Sequence, residues 1–466
     1  MAKQDTSDFR EHLSNVDQKG KRVWLFPKII AGRFYKWRTW FSWVLLAGLF
    51  AGPWFSYNGH PLFLFNVLER RFILFGIPFW PQDLYLIALG IITFMVFIIA
   101  FTAIFGRVFC GWACPQTIFM EMVFRKIENW IEGSPAQQKK LKEMPWNAEK
   151  LRKKGLKNLI FWFISFLISN TFLAYIIGSE ELIKIVTEPL SQHIGGFFSI
   201  LIFTSVFYLV FARLRELVCV MICPYGRLQG VLMDSQSVIV AYDYNRGEPR
   251  GKLKKGEPDT NLGDCVDCGL CIDVCPTGID IRNGTQLECV HCTACIDACD
   301  SVMEKIHKDL GLIRYASEKE LKGEGKKFKF NTRVVAYSFL WLALFSVFSG
   351  LVISRRDMQA NLVRKKGSTF SATPNGDITN FFDLKVVNKT FSPMKLDVKA
   401  ASSNQEVVLL GDSLLVMPGE HKSVPMLIRM TKAHIHDNTI PFELQINGNG
   451  EKVNVVKDRF LAPVYD

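Results

Sequence analysis

Residues 84–106 read LYLIALGIITFMVFIIAFTAIFG, without a single charge. As a helix this run rises about 34 Å, enough to cross the roughly 30 Å hydrocarbon layer of a bilayer. One arginine at its centre would cost about 3 kcal/mol, whereas each central Leu, Ile, Phe or Val contributes about −0.3 to −0.6. A buried helix of a soluble protein is the alternative, and this length without charge argues against it. Stretches 37–57, 159–178, 196–212 and 334–354 have the same character, so five transmembrane helices are expected. The apolar 49% of the chain, including 38 Phe, is concentrated in these blocks. The first block is too long for a signal-peptide core and lacks a small-residue cleavage site, so it reads as a retained span.

A net charge of +12 could indicate nucleic acid, but its placement argues against that partner. Lys and Arg gather in 19–38, 107–157 and 213–333, while 58–83 and 179–195 hold only Arg70, Arg71 and Lys184. This alternation follows the positive-inside pattern. It puts the amino terminus, the 107–158 loop and the 213–333 segment in the cytoplasm, and the carboxyl-terminal part outside. Arg355 and Arg356, just beyond the last span, run against the rule.

Eight of the twelve cysteines fall in CVDCGLCIDVCP and CVHCTACIDACD: Cys265, Cys268, Cys271 and Cys275, then Cys289, Cys292, Cys295 and Cys299. Three thiolates two residues apart can wrap one corner of an iron–sulfur cubane, with a fourth arriving from chain folded back. Zinc prefers four ligands in separated pairs, and cytoplasmic thiols stay reduced rather than forming disulfides. The double C-x2-C-x2-C-x3-C run resembles bacterial ferredoxins, in which the fourth cysteine of each run serves the other cluster. That resemblance implies two [4Fe–4S] clusters, one held by Cys265, Cys268, Cys271 and Cys299, the other by Cys289, Cys292, Cys295 and Cys275. Asp300 stands where a second proline is expected, and only 13 residues separate Cys275 from Cys289. Both departures concern turn geometry rather than ligands.

The remaining four cysteines form matched pairs, Cys110/Cys114 and Cys219/Cys223, each followed by proline (Pro115, Pro224). Residues i and i+4 share one face of a helix, one turn apart. Proline cannot continue the helix and disfavours helical geometry before it, so each helix should end or break at the second cysteine. Spans two and four run in the same direction, so both motifs reach the cytoplasmic interface, and an internal repeat could gather four thiols at one site. A single such pair would read as small hydrophobes; the repetition favours a metal or redox site. Thiolates select Cu(I), zinc or iron–sulfur centres. Arg107, Arg213 and Arg215 could favour thiolate, or could be ordinary interfacial anchors.

The order of spans, the two C-x3-C-P motifs, the ferredoxin-like module and the external tail resemble the FixG/RdxA (CcoG) family of cytochrome c oxidase accessory proteins. That family is related to membrane ferredoxins of the NapH and NosR kind. The resemblance covers nearly the whole chain. It implies a multi-pass protein of the bacterial inner membrane that reduces Cu(II) to Cu(I) for maturation of cbb3-type oxidase. Copper would sit at Cys110, Cys114, Cys219 and Cys223. Expected partners are the bilayer, an unidentified cytoplasmic electron donor, and copper-delivery or oxidase-assembly proteins. The NapH/NosR kinship implies a competing role, a quinol dehydrogenase module feeding a periplasmic reductase. A third reading is a scaffold braced by its clusters. No C-x-x-C-H motif is present, and no charge or histidine lies deep in a span, so a haem relay has no support.

From about 367 the pattern becomes alternating strands (FFDLKVVN, MKLDVKA, EVVLLG, SVPMLIRM, IPFELQIN, KVNVVKDRF) with NG and PGE turns, as in a small immunoglobulin-like β-sandwich. Met394, Met417, Met426 and Met430 read as core, and His434 and His436 as loop residues, in preference to an external copper site. Residues 116–132 read as an amphipathic helix on the cytoplasmic face, with Ile118, Met122, Val123, Ile127, Trp130 and Ile131 on its apolar side, or as a half-buried helix of a cytoplasmic cap. The basic run 139–157 reads as a positive-inside flank or a contact for anionic lipid.

The expected organisation is a cytoplasmic segment 1–36, a four-helix transmembrane region with its cytoplasmic loop at 37–240, and a cytoplasmic 2[4Fe–4S] ferredoxin-like module at 241–332. A fifth transmembrane helix at 333–354 then leads to a periplasmic immunoglobulin-like domain at 367–466.

Overall fold

The computed structural model describes residues 21–252 apart from 68 and 190, 262–323, 332–365, and 369–463 apart from 375, 403, 411–413 and 450, with positions 16, 19 and 367. Much of 1–36 and parts of 241–332 lie outside the described residues. The chain forms two compact units, Met1–Leu64 with Ile91–Phe345, and Phe65–Gly90 with Ser346–Asp466.

Four helices among the described residues are long and apolar enough to cross a membrane: Pro81–Phe105, Ala148–Ile177, Ile194–Leu214 and Thr332–Ile353. The expected first span instead forms helix α1, Arg33–Ala51, which carries Arg33, Lys36 and Arg38. Only the thirteen residues after Arg38 are free of charge, about 20 Å of helix, and Pro53 lies in the 3-10 turn that ends it. Asp297 anchors the start of α1 by accepting from the Phe34 and Tyr35 amides at 3.0 and 2.7 Å. A carboxylate there satisfies orphan N–H groups and complements the helix dipole.

Helix α2, Leu84–Phe105, presents Ile91, Ile92, Phe94 and Met95 half exposed or more, an apolar surface that suits lipid. Helix α3, Val108–Trp112, follows a break at Gly106, whose φ is +57°. Helix α4, Arg125–Glu132, leads by a short helix to α5, Ala148–Ile177, which packs on α6, Ile194–Leu209. Small polar residues meet at that contact, Ser169 Oγ lying 2.9 Å from Thr204 Oγ1, the kind of close approach common between membrane helices. The Tyr175 hydroxyl, near the C-terminal end of α5, donates to the Leu49 carbonyl of α1 at 3.0 Å. Thus α1 runs from the cysteine-rich module to the far end of α5.

The segment 116–132 is helical, and charged residues are buried on it beside the apolar ones. It contains a π-helical stretch, Phe119–Phe124, and Trp130 is 79% exposed while Arg125, Glu128 and Glu132 are buried. The reason is a charge network. Glu128 accepts from Arg215 Nη2 at 2.8 Å and Lys157 Nζ at 3.1 Å, and Glu132 holds Lys154 and Lys157 at 2.9 and 2.8 Å. Part of the basic run 139–157 is therefore engaged inside the protein. Burial raises the Glu128 pKa, but Arg215 and then Lys157 outweigh it and bring it down to about 2.

The second unit is a β-sandwich. One antiparallel sheet runs Gln405–Leu409, His421–Met430, Ile378–Asn388, Met358–Arg364, with Ser371–Ala372 on the edge. The other runs Leu415–Val416, Met394–Ala400, Thr439–Gly448, Glu451–Leu461. Met394, Met426 and Met430 are in its core with Phe382, Leu444 and Phe460, whereas Met417, His434 and His436 are exposed. Asp83 is fully buried between Arg355, at 2.8 Å, and Lys389, at 2.5 Å. Of the two arginines that run against the charge rule, Arg355 therefore has a counter-ion, which it shares with Lys389.

Candidate metal centre

The runs CVDCGLC and CVHCTAC fold alike. Asp267 and His291 have φ of 48° and 52°, and Gly269 and Thr293 have φ of 69° and 64°. Each second pair precedes a helix, Leu270–Asp273 in one run and α7, Ala294–Lys305, in the other. A β-branched residue at positive φ is strained; Thr293 is held there fully buried, its hydroxyl donating to the Cys292 carbonyl at 2.6 Å. The module is closed by a two-stranded sheet, Ile239–Tyr242 with Ile313–Ala316.

These turns surround two cavities. One is lined by Cys265, Cys268, Cys271 and Cys299, with Arg282 at its edge. The other is lined by Cys275, Cys289, Cys292 and Cys295, with Cys271 reaching both. Among the described residues no three His, Cys, Asp or Glu side chains converge as one metal ion would require. A four-iron cubane asks for something different, one thiolate on each iron from the sides of an apolar cavity, and two sets of four thiols fit that demand. Burial pushes Cys271, Cys289 and Cys299 up to about 12 and Cys292 to about 11, with Arg282 opposing at Cys271 and Arg38 at Cys292. Without metal these thiols keep their protons at neutral pH.

The two C-x3-C-P motifs are also alike. Cys114 and Cys223 leave helical geometry (ψ 124° and 114°), and Pro115 and Pro224 begin new helices, the second being Pro224–Leu232. In both motifs the second cysteine's amide reaches back five residues, Cys114 to Phe109 and Cys223 to Val218, at 2.9 and 2.7 Å. The pairs do not ride on the spans themselves, because α2 has already ended at Phe105. Cys219 is near enough to feel each of the other three thiols, and Cys114 to feel Cys223, electrostatically. The Cys219 thiol is pushed up to about 12 by burial and then by Cys114, Cys110 and Cys223. Burial also raises Cys110, against the pull of Arg107, and Cys114, against the amides of Thr117 and Gln116. The expected help from three arginines reduces to Arg107, since Arg215 is bound to Glu128 and Arg213 is exposed. The four thiols lie close but do not converge on a point.

The cysteine helix abuts the second cavity. Cys110, 8% exposed, packs with Val290, Cys292, Tyr225 and Ala294. A Cβ on Gly111 would lie 2.5 Å from the Val290 carbonyl oxygen, 2.8 Å from that of His291 and 2.9 Å from the Cys292 nitrogen, so only glycine permits this approach. The Arg107 amide donates to His291 Nδ1 at 3.1 Å, and its Nε to Gln229 Oε1 at 2.7 Å. The same Gln229 oxygen lies 3.3 Å from Cys110 Sγ. Arg38 Nη1 donates to the Cys292 carbonyl at 2.7 Å. Sequence reasoning missed Gln229, His291, Arg38 and Gly111. Only Gly111, between the two cysteines of CGWAC, carried a signal.

A family model described as a 4Fe-4S dicluster domain matches residues 214–318, and one described as a 4Fe-4S binding domain matches 87–133. A third, an IG-like fold at the C-terminal of FixG, matches 348–463. The crystal structure of a FixG-related protein from Vibrio parahaemolyticus covers 23% of this chain and 97% of its own, at 21% identity and a TM-score of 0.19, too poor a superposition to bear on the fold. Protein RdxB and Protein RdxA of Cereibacter sphaeroides are 33% and 34% identical, each aligned over 79% of this chain and 80% of theirs. Nitrogen fixation protein FixG of Rhizobium meliloti is 31% identical over 79% of this chain and 77% of its own. Relatives at this identity, aligned through both cysteine-bearing regions, make the chain a member of the FixG/RdxA family of iron–sulfur electron-transfer proteins.

Proposed function

We propose that the protein is a cupric reductase of the bacterial inner membrane that supplies Cu(I) for maturation of a cbb3-type cytochrome c oxidase. The observation that carries this reading is the packing of Cys110 and Gly111 on the Val290–Cys292 loop, which sets a four-thiol neighbourhood beside an iron–sulfur cavity. Cys265, Cys268, Cys271 and Cys299 would hold one [4Fe–4S] cluster, and Cys289, Cys292, Cys295 and Cys275 the other. Bound clusters supply electrons singly, matching the one electron that Cu(II) takes to become Cu(I), with a soluble cytoplasmic reductant as its source.

Copper is the substrate, held by Cys110, Cys114, Cys219 and Cys223, whose soft sulfurs favour the cuprous product. Binding requires the four side chains to turn inward and shed protons, which burial makes costly and Arg107 eases. Gln229 fixes both Arg107 and Cys110. We read α1 as a fifth span because it extends from the cysteine module to the far end of α5. With five spans, the positive-inside pattern supports a cytoplasmic cysteine module and a periplasmic β-sandwich.

The test uses full-length protein with chemically reduced clusters, held without oxygen. Added Cu(II) should reoxidise them with formation of Cu(I). Serine at all four helix cysteines should abolish this while iron content stays intact. Reoxidation unaffected by those serines would overturn the reading, and reduction of the clusters by a quinol analogue independent of the helix cysteines would mark a quinol dehydrogenase module instead.

A further inference from the structure

A cleft of about 530 Å³ opens in the second unit, where the helix from Leu84 begins and the helix ending at Ile353 stops. That volume lies within the range of small-molecule sites. Its polar wall carries Arg355, Arg356, Lys389 and Lys457. Two carboxylates answer these four cations: Asp83, shared by Arg355 and Lys389, and Glu443 beside Lys457. Arg356 has no carboxylate partner among the described residues; one of its nitrogens donates to Asn454 Oδ1 at 2.5 Å. The cleft thus keeps two surplus positive charges and a guanidinium fork with free donors, a match for phosphate oxygens.

The rest of the rim is apolar. Tyr85, 58% exposed, lines the cleft with Leu351, and Leu84 and Ile353 beside them are 56% and 84% exposed. Both apolar helices end here, so in a bilayer the cleft lies at headgroup depth, where tyrosine is enriched. A free phosphate would use only the cationic wall. A phospholipid uses both, its phosphate against Arg356 and its acyl chains along Leu84 and Ile353.

We propose that this cleft binds the headgroup of an anionic phospholipid and so seats the β-sandwich on the membrane surface. The inference rests on these helices being membrane spans and is independent of the copper reading, whose test is cluster reoxidation.

Full-length protein in detergent, delipidated, is titrated with short-chain phosphatidylglycerol and followed by native mass spectrometry. Phosphatidylcholine and inorganic phosphate serve as the other arms. Phosphatidylglycerol should bind more tightly than phosphatidylcholine, and phosphate in large excess should not displace it. Arg356→Gln should weaken phosphatidylglycerol about fivefold, the effect of ~1 kcal/mol for one juxtamembrane arginine, with iron content and melting temperature unchanged. Lys399→Gln, removing an exposed charge on the sandwich (67% exposed), should change nothing. Raising the salt should weaken binding in the unaltered protein, a check that needs no variant. Equal affinity for the two lipids, displacement by phosphate, or an Arg356→Gln protein that binds as before would each overturn the proposal.

Discussion

Replacing Gly111 by alanine adds one carbon at the tightest contact between the cysteine helix and the iron–sulfur loop. Its Cβ would stand 2.5, 2.8 and 2.9 Å from three backbone atoms, where ordinary contact begins near 3.4 Å. Backbone cannot rotate aside as a flexible side chain can, so helix and loop must separate by roughly 0.5–0.9 Å. Overpacking of this kind costs ~1–3 kcal/mol, too little to unfold a unit of this size but enough to open the seam. Two readouts follow. The Cys110 thiol, 8% exposed, should react faster with a neutral alkylating reagent, and Cu(II) should reoxidise reduced clusters more slowly, with iron content unchanged. Gly155→Ala is the control, because its Cβ meets nothing within 4 Å in the interior of α5; it should stabilise the protein by ~1 kcal/mol. Wild-type labelling and reoxidation in Gly111→Ala would refute the claim that this contact joins the two centres.

Other perturbations test the rest of the molecule. Glu128→Gln leaves Arg215 and Lys157 buried without their shared carboxylate and should cost ~3–5 kcal/mol, read as a fall in melting temperature. Because the folded Glu128 pKa is about 2 against an ordinary 4.5, its contribution of ~3 kcal/mol is complete above pH 4.5 and fades as pH falls toward 2; acid melts of wild type and Glu128→Gln should converge there. Asp83→Asn likewise strands Arg355 and Lys389 and should destabilise the second unit by ~3–5 kcal/mol, measured by protease susceptibility of the sandwich. Chelation of iron should leave thiols that are protonated at neutral pH, with Cys271, Cys289 and Cys299 near 12. Reloading must then release protons and tighten as pH rises, which a weakly buffered titration detects.

The motifs were legible because their chemistry is local. Eight cysteines at fixed spacing need no tertiary knowledge, and Pro115 and Pro224 end their helices by missing an N–H. Strand alternation from Ile378 to Leu461 is likewise a property of neighbouring residues, and the described residues of the segments read as strands lie in strands, Leu410 excepted. The errors arose where distant charges decide. Periodicity in 116–132 marks only the apolar residues; that Glu128 is buried is decided by Arg215 and Lys157, remote in sequence. Arg355 looked anomalous because Asp83, more than 270 residues earlier, neutralises it. The helix at the first apolar stretch begins before it, at Arg33, and buries Arg38 against the Cys292 carbonyl, a partner that hydropathy cannot register.

The first motif also separates its two sulfurs by chemistry. Cys114 sits at the N-terminus of the Pro115 helix, where the amides of Gln116 and Thr117 pull its pKa down against burial. Helix N-termini stabilise thiolates, so the backbone helps Cys114 toward its thiolate. The first cysteine, Cys110, depends instead on a side chain, Arg107, locked by Gln229. Gly226, two residues after Pro224, completes the pattern: a Cβ there would lie 2.6 Å from the Cys219 carbonyl oxygen and 3.0 Å from Arg107 Nη2. One arginine thus serves both halves of the repeat, lowering Cys110 and Cys219 together. Arg107→Lys should keep the charge yet lose the fork that reaches Gln229. If Arg107 acts through position as well as charge, the lysine variant should keep its iron but bind copper more weakly, whereas wild-type affinity would mean that charge alone suffices.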